Sequence, residues 1–317
     1  MKKNFLLIII CLLLVVKGSS QKPDTCSLNS ADAYFGQTPP DASPVKFLPD
    51  ILTAEKYPHG QLAFSPNNKL LLWSAMLAKG PEQTIFYSTY SNRAVSKPEI
   101  ASFASGKGNG GPAFSYDGNR VFFSAELPPI ENSTKKPFAI DYVDKTSTGW
   151  GNTVIIDITA DTLMTKGQVS VARNGNLYFS GRIYTETAPG IYMCQYLDGN
   201  YLKPEKIKGP LADTPLLVDP WIDPDERFML FSFPSEQGPP MLTDIGISFP
   251  DKNGEWGSPV RLNKEINTEA FERFPALSGD EKYLFFIRSL NQKQFVSDQA
   301  HFYWVSAGCI EELRPAE

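Results

Sequence analysis

A chain of 317 residues with 21 Phe, 13 Tyr, 23 Gly and 26 Pro suits many short aromatic strands punctuated by turns. No apolar 3.6-residue pattern runs beyond a few turns, which argues against a helical protein. The chain carries 30 basic against 35 acidic residues and no clustered basic stripe, so it lacks the means to grip nucleic acid or an anionic membrane surface.

Residues 1–20 read as a signal peptide and fall outside the fold. Lys2 and Lys3 form a basic start, Phe5 to Val16 is an apolar run too short for an ordinary membrane span, and Gly18-Ser19-Ser20 offers small residues for cleavage. Ile10 before Cys11 is too bulky for a lipoprotein cleavage box. Removing Lys2, Lys3 and Lys17 from the 30 basic residues leaves 27 against 35 acids, a net −8 for the exported form, periplasmic or secreted. No later segment is long and apolar enough for a membrane span. Residues 21–42 then form an N-terminal extension, 43–308 the folded domain and 309–317 a tail.

Within 43–308 one unit recurs. Phe64-Ser65-Pro66-Asn67-Asn68 runs into the apolar Leu70 to Trp73, and Phe114-Ser115-Tyr116-Asp117-Gly118 into Val121-Phe122-Phe123. Ala172-Arg173-Asn174-Gly175, Asp223-Pro224-Asp225-Glu226 and Ser278-Gly279-Asp280-Glu281 lead into equivalent strands. The first turn residues are spaced by 50, 57, 51 and 55 positions, and their Asn and Gly suit turns with positive φ. A second element recurs with the same spacing: Ser43-Pro44-Val45, Lys97-Pro98-Glu99, Lys203-Pro204-Glu205 and Ser258-Pro259-Val260, with Trp150 to Val154 in the remaining slot. Proline at a strand start marks an edge strand, the outermost of each unit. A third strand sits between the two elements.

With strands named a to d, the chain runs d, four complete a-b-c-d units, then a-b-c. Only a closed ring lets the first strand complete the last unit, and closure removes the exposed edges of an open array. The expected fold is an all-β, five-bladed β-propeller of four-stranded antiparallel blades, closed by the N-terminal strand. Six blades would require strands from Thr25 to Pro40.

The stretches Asp244-Ile245-Gly246-Ile247-Ser248, Trp256-Gly257-Ser258-Pro259-Val260 and Phe274-Pro275-Ala276-Leu277-Ser278, with the eroded Ser-Pro-Asp-Gly hairpins at Phe64 and Phe114, resemble the TolB-like, WD-repeat-like β-propeller family. The resemblance covers Ser43 to Ser306. It implies the fold, and it brings no catalytic motif onto any residue here.

The topology carries Cys26 and Cys309 toward one end of the closing blade, where a disulfide would latch the ring. Cys194, in a c strand, reads as a small buried hydrophobe. With only His59 and His301 present, a histidine-rich zinc site is excluded. Asp223 and Asp225 fit turn chemistry, Asp251 to Gly254 lacks the further acids of a calcium loop, and neither a nucleophile elbow nor a phosphate loop occurs. No cofactor is expected.

The d–a and b–c connections share one face of such a ring, and they nominate a ligand-binding rim of His59, Asn109, Gln168, Arg182, Trp221, Glu272, Arg273 and Arg288. Two functions compete for it. One is a non-enzymatic scaffold presenting rim loops to a glycan, peptide or cell-envelope protein. The alternative is a carbohydrate-active hydrolase or lyase using Glu272 and Asp219 as paired acids with His59.

Overall fold

A computed structural model describes residues 34–53, 56–77, 83–104, 108–127, 138–156, 163–183, 188–239, 241–291 and 293–315. The signal segment and Cys26 lie outside them. The structure is a five-bladed propeller. Blade 1 contains Lys56–Phe64, Leu70–Leu77, Gln83–Ser91 and Glu99–Ile100 as strands a to d. Blade 2 contains Gly110–Phe114, Arg120–Glu126, Phe138–Thr146 and Val154–Ile156. Blade 3 contains Leu163–Val171, Leu177–Ile183, Gly190–Cys194 and Glu205–Lys206. Val218–Ile222, Met229–Pro234, Thr243–Ser248 and Val260–Arg261 make blade 4. Blade 5 takes Phe271–Leu277, Tyr283–Ser289 and Ala300–Ser306 from the C-terminal end, and the N-terminal Val45–Lys46 as its outer strand.

That closure is antiparallel, with Val45 opposite Trp304 and Lys46 opposite Tyr303. Four of the five outer strands begin directly after a proline, where the missing N–H is harmless. The core lies between blades, in five apolar clusters that each join two neighbours. The cluster at the closing seam is rich in aromatics. Phe47 is fully buried there, its ring 5.0 Å from Phe285 and 5.1 Å from Trp304. Tyr34 and Phe35, placed in the extension by a boundary at residue 43, pack into this seam, and the Tyr34 hydroxyl donates to Asp280. Ile310, placed in the tail, is buried between blades 4 and 5.

Two local devices repeat around the ring. Every innermost strand carries a register shift at about the same height, between Pro58 and Leu62, Gly110 and Ala113, Thr165 and Val169, Val218 and Trp221, and Arg273 and Ala276. Gly60, Gly111, Asp219 and Phe274 adopt positive φ at these bulges, which turn the following side chains toward a new direction. The second device is a buried serine within strand b, at Ser74, Ser124, Ser180 and Ser232. Ser74 Oγ accepts the Gly111 N–H, Ser180 Oγ the Asp219 N–H and Ser232 Oγ the Phe274 N–H, each on the next blade's bulge. A Cβ on Gly60 would lie 2.1 Å from Ser74 Oγ, so this contact requires glycine.

Directly past the bulges, Gln61, Pro112, Gln168, Pro220 and Pro275 form a buried layer, one residue per blade. The Gln61 side-chain amide donates to Val169 O at 2.8 Å and Pro112 O at 3.3 Å, and Gln168 Oε1 accepts the Gln61 N–H. This layer ties blades 1, 2 and 3 together at the axis.

Candidate functional site

On the d–a face the structure gathers some of the expected rim residues and separates others. Arg273 donates to both oxygens of Asp219, at 2.8 and 2.9 Å, in a fork-shaped pair between blades 5 and 4. Its guanidinium also lies over the rings of Phe274 and Phe295. His59 joins this group, its ring 5.2 Å from Phe274 and its Nδ1 3.2 Å from Gln83 Oε1. Burial and then the Arg273 cation hold the His59 imidazole down to about 4, so it is neutral at physiological pH.

Glu272 faces away from that group because successive strand residues point to opposite sides. Wholly buried, it accepts from Thr268 Oγ1 and Arg288 Nε, both at 2.7 Å, and from the Thr268 N–H at 3.3 Å. Arg288 also donates to the carbonyls of Glu265 and Ile266. Burial pushes the Glu272 carboxyl up to about 7. Glu272 and Asp219 are therefore each held by a different arginine. Asn109 is buried just before strand a of blade 2, and Arg182 lies near the end of strand b of blade 3, opposite Met164. Gln168 belongs to the axial layer. Trp221 lies past its strand's bulge and lines a cavity among the a–b hairpins, on the other face of the ring.

That hairpin face holds three depressions that run together. An axial funnel of about 310 Å³ is lined by Gln61, Phe64, Phe114, Tyr116, Ser170 and Trp221, among others. It shares Ser115 and Tyr116 with a cleft of about 420 Å³ between blades 2 and 3, where Tyr196 and Tyr201 face Arg120 and Arg173. It shares Ser65, Pro66 and Phe114 with a cleft of about 700 Å³ between blades 1 and 2, which is walled by Tyr90, Lys145 and Trp150. Tyr116 is 54 % exposed at the junction. Arg173 lies 3.7 Å from its ring centre, and Arg120 3.8 Å from that of Tyr142.

The floor and walls of this trough have distinct local causes. Ser115 Oγ donates to Asp117 and accepts the Arg120 N–H, and Ser65 does the same with Asn67 and Leu70, so each hairpin is stapled within itself. The walls are short ribbons that extend strand c: Tyr90–Ser91 with Ala94–Val95, Lys145–Thr146 with Gly149–Trp150, and Tyr196–Leu197 with Asn200–Tyr201. Their turns, through Asn92-Arg93, Gly149 and Asp198-Gly199, adopt positive φ.

Beyond blade 3 the same face is laced shut. Arg173 pairs with Asp225, Glu226 accepts from Asn174, Asn176 and Tyr178, and Arg227 bridges Asp223 and Glu281. Asp223 and Asp225 thus serve the hairpin and its neighbours. Among the described residues no group of three or more His, Cys, Asp or Glu could hold a metal ion. No described helix is long and apolar enough to cross a membrane. Cys309 is a free, partly exposed thiol here, and the Cys26 half of the expected latch lies outside the described residues. Cys194 is a buried thiol, raised by burial.

The likeness to known proteins is one of fold. No protein-family model matches the sequence, and no curated protein matches it. Among solved structures, an α-L-arabinofuranosidase from Lactobacillus brevis aligns with a TM-score of 0.56 at 11% identity, over 81% of this chain and 93% of that one. TolB from Acinetobacter baumannii aligns with a TM-score of 0.46 at 14% identity, over 79% of this chain and 57% of that one. An oligogalacturonate lyase in complex with manganese aligns at 0.44 and 12% identity, over 79% of this chain and 65% of that one. At such identities a shared propeller carries no shared chemistry.

Proposed function

We propose that this chain is a non-enzymatic binding propeller, exported after loss of residues 1–20, that seats a glycan in the trough on its hairpin face. The observation that carries the reading is the continuity of the trough. Two clefts between blades 1 to 3 adjoin the axial funnel, which reaches Trp221 of blade 4, and Tyr116, Trp150, Tyr196 and Trp221 lie along their walls. Aromatic faces interleaved with hydroxyl and amide groups suit the alternating apolar and polar faces of sugar rings.

The opposite face supports the same reading. A pair of hydrolytic acids needs one free carboxylate and one proton donor across a cleft. Asp219 is tied in both oxygens by Arg273, and Glu272 is sealed beneath Arg288 and Thr268. The neutral His59 lies between phenyl rings.

A glycan array probed with the mature protein tests this, with Tyr116→Ala and Trp150→Ala beside the wild type. Retention of neutral glycans that weakens in both variants is the expected result. Turnover of an aryl glycoside, or glycan retention indifferent to both substitutions, would overturn it.

A further inference from the structure

The axial funnel differs from the two clefts beside it. Among the described residues no Asp, Glu, Lys, Arg or His lines it, whereas the flanking clefts include Arg120, Arg173, Lys69 and Lys145. Its walls are Phe64, Phe114, Tyr116 and Trp221, and its axial end is the Gln61 layer. At about 310 Å³ it stands at the small end of ligand pockets. A charged group entering it would find no counter-charge among the described lining residues.

The axial end is also unfinished. Gln61 is 3 % exposed and its Nε2 is used twice, on Val169 and Pro112, but its Oε1 has no partner. Its neighbour Gln168 spends Oε1 on the Gln61 N–H and leaves Nε2 without one. Swapping O and N in either amide would break the bonds already made, so the unused acceptor and donor follow from the network. Gln61 lines the funnel, and its unused acceptor matches a hydroxyl, which can donate to it. An aliphatic side chain would fill the space and leave that acceptor bare.

Resting on the glycan reading above, we propose that the funnel is the subsite for a single uncharged pyranose ring, with Trp221 as its stacking wall and Gln61 as its hydrogen-bonding floor. The flanking clefts then carry the neighbouring sugars, and the funnel selects a residue that bears no carboxylate, sulfate or amine.

The test is a titration of the full mature chain, followed by the side-chain amide signals of Gln61 and the indole signal of Trp221 in NMR spectra. The probes are the methyl glycosides of glucose, galactose, mannose and N-acetylglucosamine, with the methyl glycoside of galacturonic acid, its carboxylate free, as the charged counterpart and N-acetyltyrosinamide as a peptide-like one. At least one neutral glycoside should shift both signals at millimolar concentration, while the galacturonic acid glycoside shifts neither. Trp221→Ala should weaken that binding about tenfold or more. Trp221→Phe, which keeps the wall filled, should weaken it less and guards against loss of fold. Failure of every neutral glycoside to shift the two signals would overturn the subsite, as would response to N-acetyltyrosinamide alone. If longer glycans still bind through Tyr116 and Trp150 while Trp221→Ala has no effect, the funnel falls and the glycan reading stands. If no glycan binds at all, both fall.

Discussion

Replacing Phe47 by alanine probes the closing seam directly. Phe47 follows the two-residue strand that completes blade 5, donates its N–H to Phe302 O and is fully buried. Its ring meets Phe64, Phe285 and Trp304 at 6.0, 5.0 and 5.1 Å. Truncating a buried Phe costs about 3–5 kcal/mol in lost transfer energy and unfilled space. Three aromatic neighbours put Phe47→Ala at about 4 kcal/mol, or a fall of roughly 1–2 M in the urea midpoint. Phe179→Ala, buried between blades 2 and 3, is the matched control and should lose a similar amount. Equilibrium urea unfolding followed by tryptophan fluorescence reads both. A loss under about 1 kcal/mol for Phe47→Ala, the range of ordinary surface changes, would mean the N-terminal strand is not integral to the ring.

Three further outcomes follow from named contacts. Ser74→Ala removes the acceptor of the Gly111 N–H and the donor to His59 O, and should cost about 1–3 kcal/mol in urea unfolding, whereas Ser91→Ala at an exposed ribbon should cost little. Arg273→Ala leaves Asp219 buried without its partner, and should cost about 3–5 kcal/mol, of which Asp219→Asn in the same chain restores part. The third is a pH effect. His59 titrates near 4 in the fold against 6.5 when unfolded, so its contribution is complete above pH 6.5 and fades as pH falls toward 4. With its partial exposure discounted, wild type should lose roughly 1–3 kcal/mol more than His59→Gln between pH 7 and pH 4.5, measured as the difference in urea midpoints. Equal losses in the two proteins would contradict that assignment.

What could be read from the chain and what could not divide along physical lines. Prolines at strand starts, turn residues with positive φ and apolar b strands are local signals, and their order alone required Val45 to meet the strand around Tyr303. The bulges are not local signals. Reading Trp221 as part of the d–a connection puts it on that rim, but strand a begins at Val218 and passes its bulge before Trp221, which so lies toward the hairpins and lines the funnel. Adjacent Glu272 and Arg273 likewise read as one rim patch, until strand alternation sends them to separate partners. The serine that follows an aromatic in strand b of blades 1 to 4, as in Phe123-Ser124 and Phe179-Ser180, is plain in the sequence, yet its role depends on a backbone N–H in the next blade. The ribbons that wall the trough had a signal in Asn92-Arg93 and Asp198-Gly199, and Tyr34 and Phe35 had one in their aromatic character.

The account turns on which face of the ring receives the ligand. Backbone amide shifts of the mature protein, recorded with and without a glycan retained on the array, decide it. The trough requires the changes to cluster at Ser115 to Asp117, Trp221 to Ile222 and Gly149 to Trp150. Changes confined to His59, Asn109 and Arg273, with the hairpins silent, would contradict it.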